Sequence, residues 1–236
     1  MLPVSSTLHT LFILTALATY IWVVLGMVQS TSPRTAKAAN IFSLLLLMWC
    51  IFQSTLALNK WYIDRVSSPP HLTFALAFPL IFFAVTMAIP ATRKIWDGLG
   101  LFHLTAIHLV RIPVEIALWM LLGFKQVPES MTISGFNFDI IMGISALFVA
   151  FLVFRNKIGK KALIAWNIIG IAFLAVVVVT AIGSAPTSMQ WRDFNQPNYA
   201  IIHFPFIWLP SFIVPVVLFA HILSLRSLLR KNPSVS

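Results

Sequence analysis

Long apolar runs, each close to the ~20 residues that carry an α-helix across a bilayer core, leave this chain little choice of architecture. Seven are legible, at about residues 8–28, 40–58, 72–89, 99–122, 138–154, 162–182 and 201–223. Only 9% of the 236 residues are charged, against about 25% in a soluble domain, and this excludes a water-exposed globule. The expectation is an all-α polytopic membrane protein, a seven-transmembrane-helix bundle forming one domain over residues 1–236. The fourth run is the most polar, holding His103, His108, Arg111, Pro113 and Glu115. Without it the count falls to six and the C-terminus changes side.

Cation placement decides the count and the direction. With seven spans, alternate gaps on one side hold Arg34, Lys37, Arg93, Lys94, Arg155, Lys157, Lys160, Lys161, Arg226, Arg230 and Lys231, eleven in all. The other side holds four, Lys60, Arg65, Lys125 and Arg192. Positive gaps stay in the cytoplasm, so the N-terminus is expected outside and the C-terminus cytoplasmic, in a plasma membrane or a bacterial inner membrane. A formal charge of +10 would point to nucleic acid in a soluble protein. Here it is an orientation signal, and the partner it implies is the lipid bilayer, not nucleic acid. Residues 8–28 follow no positive segment and exceed a signal-peptide core in length, so they read as the first span. Trp61, Tyr62, Trp96, Trp191 and Tyr199 fall near span limits, where amphipathic rings collect. The single cysteine, Cys50, lies inside an apolar run and has no intrachain partner.

Ionisable groups inside a bilayer cost several kcal/mol, so they face the bundle interior and pair. At ~100° per residue, Glu115 and Trp119 project within about 20° of His108, and Arg111 about 60° to one side. Arg111 and Glu115, at i and i+4, are expected to form an ion pair, and Pro113 between them to kink the helix. This pair either lines a cavity or simply pins the fourth helix to its neighbours. Asp139 opens the fifth span after Ser134-Gly135-Phe136-Asn137, where it serves as a helix cap with Asn137 or as a partner at the depth of His203. Small residues Gly143, Ala146 and Ala150 share a face that permits close helix approach. Asn167 is expected to bond across helices. Pro205, Pro210 and Pro215 recur through the seventh run and break its hydrogen-bond ladder, as at transporter sites and hinges or merely to set curvature. Gln53 and the loop run 190–198 add polar groups to the outer half.

Seven spans with the N-terminus outside resemble the layout of microbial rhodopsins, yet residues 201–223 hold no lysine to carry a retinal. The seven-span zinc hydrolases of the progestin-receptor and hemolysin type carry an H-x-x-x-H pair in the last span. Here His203 and His221 stand 18 residues apart. Both resemblances stop at architecture, and no metal site is expected. The leading functional expectation is a protein that binds or senses a small lipophilic or amphiphilic ligand in an outer-facing intramembrane cavity lined by Gln53, His108, Arg111, Glu115, Asp139 and His203. One alternative is a transporter or proton-coupled carrier using Arg111 and Glu115. Another is a membrane-embedded enzyme, either a lipid hydrolase or a redox protein holding haem b between His103 and His221.

Overall fold

The structure is a computed structural model that describes residues 2–30, 33–135 and 137–230; Phe136 and Lys231, used above, lie outside the described residues. Every regular element among the described residues is helical: α1 (Ser6–Ser30), α2 (Pro33–Leu58), α3 (Leu72–Ala88), α4 (Pro90–Asp97), α5 (Leu101–Ala106), α6 (Arg111–Gly123), α7 (Asp139–Phe154), α8 (Lys160–Ser184) and α9 (Val214–Leu229). A 3₁₀ turn, Ile107–Val110, joins α5 to α6, and a π-helical turn, Leu209–Ile213, leads into α9. Five helical stretches are long and apolar enough to cross a membrane: Ser6–Ser30, Ala36–Leu58, Leu101–Gly123, Lys160–Ser184 and Leu209–Leu229. Two shorter apolar helices, Leu72–Ala88 and Asp139–Phe154, accompany them.

The helices stop where the sequence removes hydrogen-bond capacity or turns the backbone. Helices α2, α6 and α7 end alike, with Lys60, Lys125 and Asn156 at φ 61°, 55° and 53°. In each, the next amide reaches back five residues: Trp61 N–H to the Leu56 carbonyl at 3.0 Å, Gln126 to Leu121 at 2.9 Å, Lys157 to Leu152 at 2.8 Å. That is the Schellman closure of a helix C-terminus. Placing Lys in the left-handed region costs about 1–2 kcal/mol, offset in part by a cation beside the negative helix end.

Two ends of the molecule are defined by loop contacts. At one end, which we call the loop end, the Ala200 N–H bonds the Gln126 carbonyl at 3.1 Å, Ser130 Oγ donates to Asp193 at 2.7 Å, and Ser188 Oγ donates to the Ser67 carbonyl at 2.6 Å. At the opposite end Asp97 accepts from Arg226 Nε and Arg230 Nη1, both at 2.9 Å, tying α4 to the end of α9. The final helix lies in the middle: 61% of its apolar stretch is buried, against 22% for α2, which exposes Leu, Ile, Met and Phe, and for α8, which exposes Ile and Val.

Three expectations are corrected here. The last apolar run is not one helix from residue 201: a 3₁₀ turn, Ala200–Ile202, gives way to a bend and turns over 203–207, where Pro205 lacks an N–H, before the helix resumes next to Leu209. Trp96 and Tyr62 are not interfacial rings but core, 3% and 1% exposed. Trp96 belongs to α4, an eight-residue helix too short for an apolar-run reading, and packs edge-on against Phe42 and Phe219 at 4.6 and 5.1 Å.

Candidate functional site

The site grows from a local irregularity. Pro113 has no N–H to offer the carbonyl of Leu109, so the chain just before it winds as the 3₁₀ turn. A 3₁₀ helix has three residues per turn, which stacks Arg111 directly over His108 instead of about 60° aside. Trp119 does not share the buried face: it is 61% exposed, whereas His108 and Glu115 are buried. The uniform helical wheel was therefore wrong for Trp119.

Arg111, 3% exposed, does not pair with Glu115. Its Nη1 makes an ion pair with Asp139 Oδ1 at the start of α7, and its Nη2 lies 3.0 Å from His221 Nε2 on α9. The approach to α7 is open because Gly143 lies against Arg111 and Ile112; a Cβ there would fall 2.9 Å from Ile112 Cγ1. A guanidinium only donates, so His221 Nε2 accepts and its proton sits on Nδ1. That proton is directed at Asn167 Oδ1, 2.9 Å away on α8, whose Nδ2 donates to the Leu163 carbonyl at 2.8 Å and to Ser224 Oγ at 3.1 Å. The interhelical bond expected of Asn167 is thus present. The result is one buried chain, Asp139–Arg111–His221–Asn167–Ser224, running from the loop end deep along α9.

Glu115 serves the loop instead. Its Oε1 accepts the Ile133 N–H at 2.7 Å and its Oε2 accepts from Asn137 Nδ2 at 2.8 Å. Asn137 also donates to the Met131 carbonyl at 2.8 Å and accepts the Asp139 N–H at 3.0 Å. Asn137 alone therefore supplies the side-chain cap of α7, and the carboxylate of Asp139 is free for Arg111.

Not every polar atom is met. His108 is fully buried, stacked on His221 with ring centroids 3.9 Å apart and edge-on to Trp166 at 5.2 Å, yet neither ring nitrogen has a partner. Arg111 Nε also lacks one. Beside these groups lies a small cavity of about 20 Å³ lined by Arg111, Glu115, Asn137 and Asp139. A larger apolar cavity of about 200 Å³ opens between α3 and α8, walled by Leu76, Leu80, Val178 and Ala181. Val177, Leu209 and Val214 line both.

The remaining expected site residues lie elsewhere. Gln53 on α2 receives the hydroxyl of Tyr62 and lines neither cavity. His203 bonds the Tyr199 carbonyl at 2.8 Å and does not meet Asp139. His103 and His221 do not face one another: His103 stacks on Trp22 at 4.5 Å with Nε2 2.6 Å from the Trp22 carbonyl, against Gly26 of α1, while His221 fills the notch at Gly170 of α8. Sequence reasoning missed His221 as the partner of Arg111, and no local signal joins residues 110 positions apart. Asn137 was legible as a cap before Asp139, but its bond to Glu115, 22 residues away, was not. Among the described residues no group of three or more His, Cys, Asp or Glu is placed to hold a metal ion.

No curated protein and no solved structure matches the chain. A family model does, over residues 69–229, a range that takes in α3 through α9 and with them every residue of the Arg111 cluster and both cavities beside it. The chain accordingly belongs to the family described as Domain of unknown function (DUF8737).

Proposed function

We propose that this is a seven-span membrane protein, with the N-terminus and the loop end outside and the C-terminus cytoplasmic, that binds a small amphiphilic ligand from the bilayer. In this reading the apolar tail occupies the cavity between α3 and α8, and the polar end turns inward to Arg111, Glu115 and Asp139. The single observation that carries it is the adjacency of the two cavities across Val177, Leu209 and Val214. An apolar slot beside a few convergent polar groups is the usual form of a small-molecule site. A proton carrier fits less well, because a guanidinium that never gives up its proton stands between Asp139 and His221.

A dodecyl chain bearing a photoreactive diazirine, added to the purified protein in lipid nanodiscs, tests the slot. Lipid tails are as apolar as the protein exterior, so labelling concentrated on Leu76, Val178 and Ala181 requires a real cavity, and Leu76→Trp should abolish it. Labelling spread evenly over exterior residues such as Phe148 and Ile168 would overturn the reading.

A further inference from the structure

The polar end of the site is small, and its donors and acceptors are unequal. Its cavity, about 20 Å³, exceeds by little the ~10–15 Å³ that one water requires. A phosphate or a quaternary ammonium head does not fit. What enters must also suit the groups around it. Arg111 and Asp139 form an ion pair and cancel each other's charge. Arg111 Nε is a buried donor with no acceptor, while Glu115 and Asp139 offer carboxylate oxygens with lone pairs to spare.

Resting on the binding site proposed above, we infer that the ligand's polar end is a single neutral hydroxyl, so that the ligand class is long-chain or polycyclic alcohols. A hydroxyl accepts from Arg111 Nε and donates to a carboxylate, meeting both needs with one water-sized atom. An ammonium only donates and leaves Arg111 Nε unmet. A carboxylate only accepts and faces two others of its own sign. When the slot is empty a water fulfils the same bonds, and the alcohol displaces it while keeping them.

The test is competition against the diazirine probe in nanodiscs, at equal bilayer mole fraction, by dodecan-1-ol, dodecane, dodecylamine and dodecanoic acid. Dodecan-1-ol should compete about tenfold better than the other three, the equivalent of one net hydrogen bond. Val177 lines both cavities, and Val177→Phe places a ring between them. It should reduce dodecan-1-ol to the level of dodecane while the slot is still labelled. If the amine or the acid matches the alcohol, or if dodecane does, the hydroxyl inference falls and the slot stands. If labelling is not confined to the slot, both fall. If Val177→Phe leaves the preference of the alcohol over dodecane untouched, the head does not reach Arg111 and the inference is equally overturned.

Discussion

A guanidinium 3% exposed among apolar helices survives only if its charge and donors are met, and at Arg111 two helices far apart in sequence meet them. Removing one member of a buried ion pair costs about 3–5 kcal/mol, mostly because the other charge is stranded. Arg111→Met should therefore lower stability by that order in a reversible unfolding measurement in detergent, and adding Asp139→Asn should recover most of the loss. Equal damage by the single and double variants would mean that packing, not charge, sets the cost. His108 is the opposite case. Its two unpartnered nitrogens carry a desolvation penalty of about 1–3 kcal/mol each, so His108→Phe should hold or raise the unfolding midpoint in the same assay. A drop comparable to that of Arg111→Met would show that the imidazole contributes a bond that its surroundings do not reveal.

Between residues and bundle, the helices communicate through notches where a ring of one element enters the space a glycine leaves on another. Gly26 receives His103, Gly170 receives His221 and Gly183 receives Trp191; a Cβ added at these positions would fall 2.2, 2.3 and 2.3 Å from the ring atoms. Gly170 matters most, since the ring it admits is the acceptor of Arg111. Gly170→Ala should force His221 aside, at a cost of about 1–3 kcal/mol for overpacking, and break the chain from Asp139 to Ser224. Gly159→Ala is the control. Nothing lies within 4 Å of a Cβ there, so its effect should stay within about 0.5 kcal/mol. Equal midpoints for the two variants would refute the notch.

Over the whole molecule the surface inverts the soluble pattern, with Leu44, Phe148, Phe154 and Val179 all more than half exposed. Such a surface needs lipid around it. The Lys and Arg content of the gaps, eleven against four, then orients the bundle in the seven-span arrangement proposed above. Reporter fusions after Lys161 and after Lys231 should both report cytoplasm. A fusion after Lys231 that reports the exterior would remove one span and leave six.

Read alone, the sequence determined that the chain is helical and apolar, where its long runs lie to within a few residues for most of them, and that the costly polar residues gather in one of those runs. These are properties of composition over some twenty neighbours, which the bilayer and the backbone impose on each segment separately. It also determined that the last run would be broken, since proline acts on its own helix. Tertiary structure alone decided who meets whom. The Arg111–Glu115 pair expected from i, i+4 spacing gave way to Asp139 and His221, partners 28 and 110 residues away that the packing of separate helices brings within reach, while Glu115 accepts from Ile133 and Asn137. Gln53 and His203 likewise went to partners of their own, Tyr62 and Tyr199. Pairing depends on the relative rotation and depth of separate helices, and that is set by how their faces pack, which no single run contains.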